Sequence, residues 1–439
     1  VGIDRTAGVL AARGDTCRAH ELRRACRKKQ QPVTAISQRV LPQRRWRPEN
    51  VSLEESVGNR RPVRRAALVT GVAGVLAFTV ACSPSTANST DDAAADNSTK
   101  IDEFLLPPGD AESFAAEPGT PVTAPIQGGT VSLPYTHVLP LPDGPIGDPN
   151  KTYTFCFSQA LTGSTWAVAQ QESVMIEAAR HPNVEVLYYN TNNDPLKQVA
   201  DLESCLAQKV DAFLIWPHSV EPLTPEIEKL NQAGQVVIGM ERTVATRDYD
   251  TWIYLDHRKA TADMAEAIGE QLGGKGTVVE TDGALGSSPQ ILWRTLLAQN
   301  LREKYPDIKV EYTAPTDYSR GQGYKVALDF LQSRQGEEID AWFTQYSEIG
   351  FGVAQALEDY DRTDIPHFTV VDGKVATQAA IDGTFFAISP WTPIHGDVAL
   401  RAAIYHLTGE EVPHDLALGQ PPLITPETAP EELQRTWPG

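Results

Sequence analysis

Two stretches decide the fold: Val210-Asp211-Ala212-Phe213-Leu214-Ile215-Trp216-Pro217-His218 and Gln235-Val236-Val237-Ile238-Gly239-Met240-Glu241-Arg242. Each holds a run of about five apolar residues without polar alternation, the mark of a strand covered on both faces. Between them, Leu223–Ala233 reads as a helix. Strand, helix, strand in so few residues is a parallel crossover unit.

The same rhythm extends in both directions. Upstream stand a strand at Thr152–Ser158, a helix at Trp166–His181 and a strand at Val184–Tyr189. A helix follows to Lys209, with Asp194 as its cap and Pro195 at its first position. Downstream come a strand at Trp252–Leu255, a helix at Ala260–Leu272, a strand at Gly276–Thr281, a helix at Gln290–Lys304 and a strand at Lys309–Tyr312. Helix Arg320–Arg334, strand Ala341–Thr344, helix Gly350–Asp359, strand His367–Val371, helix Val375–Ile381 and strand Phe385–Ile388 complete the series. About ten strands exceed one small doubly wound sheet, so the expected class is α/β with two parallel-sheet lobes.

Ligands of such sheets sit beyond the carboxyl ends of the strands. The residues there are Gln159, Ser164 and Trp166; Trp216 and His218; Glu241 and Arg242; Asp256 and His257. The later ends supply Asp282, Trp293 and Arg294, then Asp317 and Tyr318, Gln345 and Tyr346, Asp372, and Trp391. Aromatic faces stack on the C–H face of a ring, and carboxylates and guanidinium groups bond hydroxyls, so the mixture suits a neutral polyhydroxylated ligand.

With these residues in place, the chain resembles the type I periplasmic binding proteins of ABC importers, in the ribose-binding-like branch. The resemblance runs from about Lys151 to Thr425 and rests on several motifs in order. These are Asn192-Asn193-Asp194-Pro195-Leu196-Lys197-Gln198, the two opening stretches, Asp256, and Gly283-Ala284-Leu285-Gly286-Ser287-Ser288. Val371-Asp372-Gly373 and Thr408-Gly409-Glu410-Glu411-Val412 follow. It implies two Rossmann-like lobes joined by three crossovers and closing like a clamp. The N-terminal lobe would take 151–255 plus 391–410, and the C-terminal lobe 256–390 plus 411–430. Ligand positions carry over to Trp166 for stacking, to Glu241 and Arg242 for hydroxyls, and to Tyr318, Tyr346, Asp372 and Trp391. Ser164, His257, Trp293 and Arg294 join them as candidates. The chain departs from the family with Glu241 for Asp, His257 for Asn, Trp293 at an Arg position and Tyr346 for Asn, which makes the site more aromatic than a ribose pocket. The implied partners are a sugar or polyol and ABC permease subunits. A monomer is expected, with no cofactor and no metal.

The 439 residues carry a net charge of −19, but unevenly. Residues 1–81 hold 16 basic and 6 acidic side chains, leaving 22 and 51 of the totals of 38 and 57 to the remainder. So acidic a body repels phosphate backbones and argues against nucleic-acid binding. The break falls at Arg60-Arg61-Pro62-Val63-Arg64-Arg65, followed by an apolar run from Ala66 to Ala81. That run would form a helix of about 24 Å, short of a bilayer core and typical of a secretory signal. Thr79-Val80-Ala81-Cys82-Ser83 resembles a bacterial lipobox, with Thr79 where such boxes carry Leu. The resemblance implies lipidation of Cys82 and a protein held on the outer face of the cytoplasmic membrane. Residues 1–59 read as a dubious basic extension, with the first Met at Met175 and Val51 or Val57 as candidate starts. Residues 82–150 read as a Ser/Thr/Asp-rich tether and a Pro-rich extension, with apolar patches at Phe104-Leu105-Leu106 and Val138-Leu139-Pro140-Leu141.

Other classes find less support. There is no GxSxG, HExxH, CxxC or phosphate loop. Glu280 and Asp282 could imitate a hydrolase pair, but were expected on opposite strand faces. A ligand-sensing lipoprotein that signals to a membrane receptor is the alternative reading, and a secreted carbohydrate-active enzyme a remote one. Cys156 and Cys205 are expected close together, either as two buried thiols or as a disulfide.

Overall fold

The computed structural model describes residues 101–439 except 120, 126–129, 162, 334–337 and 438–439. The basic extension, the signal-like run, Cys82 and the tether to residue 100 lie outside the described residues. A π-helical turn at Ile101–Leu105 opens the described chain, and three short strands follow: β1 (Glu112–Phe114), β2 (Pro121–Thr123) and β3 (Thr130–Ser132).

The alternating body then runs β4 (Tyr153–Gln159), α1 (Thr165–Ala179), β5 (Val184–Asn190), α2 (Pro195–Gln208), β6 (Ala212–Trp216), α3 (Val220–Gln232), β7 (Val236–Met240) and β8 (Thr251–Leu255). It continues with α4 (His257–Gln271), β9 (Lys275–Thr281), α5 (Ser288–Lys304), β10 (Asp307–Tyr312), α6 (Arg320–Ser333), β11 (Ala341–Thr344), α7 (Ser347–Asp359), β12 (His367–Val370), α8 (Lys374–Ile381) and β13 (Ala387–Ser389). Helix α9 (Gly396–Thr408), strand β14 (Asp415–Leu418) and the short α10 (Ala429–Glu432) finish the chain.

Seven strands form the first sheet, in the order β1-β14-β8-β7-β6-β4-β5, and five the second, in the order β10-β9-β11-β12-β13. Every pairing within these two sheets is parallel. Central strands such as β6 are buried at every residue, as the unbroken apolar runs require. Local chemistry sets the helix starts that face the other lobe. Ser164 accepts a hydrogen bond from the Ala167 amide, and Asp194 accepts from the Leu196 and Lys197 amides.

The lobe boundaries differ from expectation. Strand β14 pairs with β8 in the first sheet, so the segment after α9 stays in the N-terminal lobe to residue 418 rather than leaving it at 411. The chain returns to the second lobe at Ile424, which bridges to Ile388, and α10 packs on α8. The reason is edge pairing: β8 has a free edge that Leu416 and Leu418, both buried, cover.

The described part of the Pro-rich extension packs on the first lobe. Strand β1 adds to β14, and Tyr135 and Val138 are buried. Buried Arg401 of α9 fastens them, donating to the Val138 carbonyl (3.0 Å) and the Tyr135 carbonyl (2.8 Å). It also donates to Glu177 and Asp397, each at 2.9 Å. Within the extension β2 and β3 pair antiparallel, and the carbonyls left over accept from such side chains.

Cys156 and Cys205 form a disulfide between β4 and α2, with Cα atoms 6.0 Å apart. The order β5-β4-β6 carries α2 across the face of β4, which brings the two sulfurs together.

Candidate functional site

The carboxyl ends of the two sheets face each other across a cavity of about 560 Å³. The first lobe supplies Ser164 from the cap of α1 and Trp166 from its first turn, Trp216 from the end of β6, and Glu241 and Arg242 after β7. The second lobe supplies Trp293 of α5, Tyr318 after β10, and Gln345 and Tyr346 after β11. Trp391, on the crossover after β13, completes the wall.

The tryptophans are interlocked. Trp166 and Trp216 lie with ring centroids 4.8 Å apart. The Trp166 indole N–H donates to the Trp391 carbonyl at 2.9 Å. Glu241 joins the other two indoles, accepting from Trp216 at 2.6 Å and from Trp391 at 3.1 Å. Its backbone is left-handed (φ 59°), which turns the carboxylate inward from the strand end. Burial raises the Glu241 carboxyl above the usual range, against the pull of Arg242 and the two indole donors.

Arg242 lies over the Trp216 ring at 4.8 Å and the Tyr318 ring at 5.2 Å. One of its terminal nitrogens donates to the His218 carbonyl at 2.8 Å, and its buried Nε makes no hydrogen bond but is ion-paired with Glu241 at 3.8 Å. His218 is held neutral, its pKa pushed down to about 4 by burial and by Arg242. A guanidinium on the cavity wall, rich in donors, is suited to bond a ligand oxygen.

Tyr318 sits in a strained loop where both Asp317 (φ 47°) and Tyr318 (φ 58°) are left-handed. Its ring rests against Gly283, where a Cβ would come within 2.2 Å of it. Its hydroxyl meets Ser287 at 3.0 Å, and its ring meets Tyr346 edge-on at 5.8 Å. Tyr346 in turn faces the Ser164 side chain of the other lobe.

Three sequence candidates stand behind the wall. His257 packs edge-on against Trp391 at 4.4 Å, and burial pushes its pKa down to about 3. Asp372 accepts from the Trp391 amide at 3.0 Å and so fixes the crossover. Arg294 is bonded to Asp282 and lies 3.7 Å above the Tyr312 ring.

Glu280 and Asp282 are not splayed to opposite faces. Positions two apart on a strand share a face. Both carboxylates converge on the Gln345 amide, at 2.7 and 3.5 Å. Burial and the charge of Asp282 raise Glu280, so the pair braces Gln345 beneath the cavity. Among the described residues no group of three or more His, Cys, Asp or Glu side chains is arranged to hold a metal ion.

Sequence reasoning gave Trp216 and Gln345 too little weight. Both stand at strand ends, but nothing local shows that an indole N–H will find a carboxylate 25 residues away.

Residues 155–411 match the periplasmic binding protein domain family. A xylitol-binding protein of Mycolicibacterium smegmatis is 28% identical over 211 residues, which is 48% of this chain and 60% of that protein. The match therefore spans under two thirds of that relative's length. A ribose import binding protein of Bacillus subtilis is 25% identical over 60% of this chain and 84% of its own. A solute-binding protein of an ABC transporter from Bacillus halodurans, solved with myo-inositol, superposes with a TM-score of 0.61. It is 21% identical and covers 66% of this chain and all of its own. Two parallel-sheet lobes, a cavity between their carboxyl edges and a family match over more than half of the chain lead to one conclusion: this protein belongs to the periplasmic binding protein family.

Proposed function

We propose that the protein captures a neutral polyhydroxylated small molecule, a monosaccharide or polyol, between its lobes and delivers it to an ABC importer. The observation that carries this reading is the interlobe cavity, which combines an interlocked tryptophan wall with the guanidinium of Arg242. A ring or chain with C–H faces stacks on Trp166 and Trp216, and its oxygens accept from Arg242. The volume falls in the range of small-molecule sites. The named ligands of the relatives, xylitol and ribose, are of the same class. Glu241 positions the indoles through both oxygens, and its contact with a ligand hydroxyl is secondary. We further propose that the protein works outside the cytoplasm, tethered through lipid on Cys82.

A thermal-shift screen of pentoses, hexoses, linear polyols, cyclitols, nucleosides and small aromatic acids tests the ligand class. A binder present at 100 times its dissociation constant stabilises by about 2.7 kcal/mol. The expected outcome is a shift with at least one sugar or polyol. A shift confined to nucleosides or aromatic acids overturns the ligand assignment. Lipidation is tested by the mass of the membrane-bound protein, with Cys82→Ala expected to release it.

A further inference from the structure

The π-helical turn and the residues just after it lie across the seam between the two lobes. Leu105 and Leu106 are buried, and they cluster with Val220 of the first lobe and Leu292 of the second. Ile291 and Leu296 of α5 pack against the same cluster. The backbone of this segment is held from both sides as well. Thr243 and Arg247 of the first lobe donate to the Leu105 and Leu106 carbonyls, each at 3.0 Å. Arg258 of α4, in the second lobe, donates to the Pro107 carbonyl at 2.9 Å. Beside it the lobes touch directly. The Val220 amide donates to the Gly286 carbonyl at 3.0 Å, and the Thr243 amide to the Ser288 hydroxyl at 2.7 Å. The whole of this segment lies upstream of the region matched by the family, 155–411.

We propose that residues 103–108 are an interlobe strap that favours the closed arrangement of the lobes, with Leu105 and Leu106 as positioning residues for ligand capture. Swinging the second lobe away strips Leu292 from Leu105 and Leu106 and exposes apolar surface to water. The strap stays with the first lobe, through Thr243 and Arg247, and lets go of α5 and Arg258. The binding-competent fraction of a clamp divides its intrinsic dissociation constant, so a strap that favours closure tightens apparent affinity without touching the ligand. The proposal rests on the clamp reading of the two lobes but on no particular ligand.

The test is hydrogen–deuterium exchange on the ligand-free full chain. The Val220 and Thr243 amides report the seam, and the amides of β6 report the folded first lobe. In Leu106→Ala the seam amides are expected to exchange at least tenfold faster, with β6 unchanged. Arg258→Ala, at an exposed position, is expected to speed the seam at least threefold. Should Leu106→Ala also accelerate β6, the lobe has lost its fold and Arg258→Ala decides. Seam exchange equal to wild type, with only residues 103–108 exchanging faster, overturns the proposal. This readout contains no sugar, so failure of the ligand screen leaves it standing, and the reverse also holds.

Discussion

Removing the Cys156–Cys205 disulfide should destabilise the first lobe by a predictable amount. The bridge closes a loop of 49 residues that includes α1, β5 and most of α2. Loop-closure entropy for that length amounts to about 4 kcal/mol at 25 °C. Both sulfurs are fully buried, so Cys156→Ala with Cys205→Ala adds a modest packing loss of the same sign. Unfolding entropy of about 2.1 cal/mol/K per residue, over roughly 340 residues, converts 4 kcal/mol into a fall of about 6 °C in Tm. If the first lobe melts separately, the fall is about twice as large. The assay is a calorimetric melt of wild type and double variant, each with and without reductant, alongside mass counts after alkylation. Reductant should expose two further alkylation sites in unfolded wild type and leave the melt of the double variant unchanged. A double variant melting within about 1 °C of wild type would refute the reasoning, because the cross-link would then not constrain the unfolded chain.

Three further predictions concern the site and its support. Trp166→Ala should cost about 3–5 kcal/mol of stability, since the ring is buried. It should also abolish any thermal shift that a sugar or polyol gives in wild type; a retained shift would remove Trp166 from the binding wall. Gly283→Ala should push the Tyr318 ring off its seat, which isothermal titration reads as affinity weakened by tenfold or more at little change in ligand-free Tm. For Glu177, burial acts to raise the carboxyl, but His181, Arg401 and Arg180 together hold it below its ordinary 4.5. A depressed carboxyl contributes stability that is present above the unfolded value and lost as pH falls through the folded one. Glu177→Gln should therefore lower Tm at pH 7 and flatten the acid limb below about pH 4.5, as a pH series of melts would show.

Some of this molecule is local and some is not. The apolar runs at 212–216 and 236–240 are legible as strands from their short length and their β-branched and aromatic content. Asp194 and Pro195 start a helix by short-range bonding alone. Helix α9 and strand β14 escaped the sequence reading for the opposite reason. In α9 the first nine residues, including Asp397 and Arg401, are all buried, so the polar stripe that marks an amphipathic helix is missing. Strand β14 has four residues, and its neighbours β8 and β1, distant in the chain, make them a strand.

The sequence by itself determined the alternation, the parallel-sheet class and which residue types gather at the strand ends. Those follow from periodicity and from the rule that a crossover returns every strand in the same direction. Tertiary structure alone decided what those residues do. It turned Glu241 onto two indoles, moved His257, Arg294 and Asp372 behind the wall, and set Arg242 between Trp216 and Tyr318. It also laid Leu105 and Leu106 across the lobe seam. Each of these depends on a partner distant in the chain, and an unpaired hydrogen bond or an uncovered leucine has no partner until the lobes are assembled.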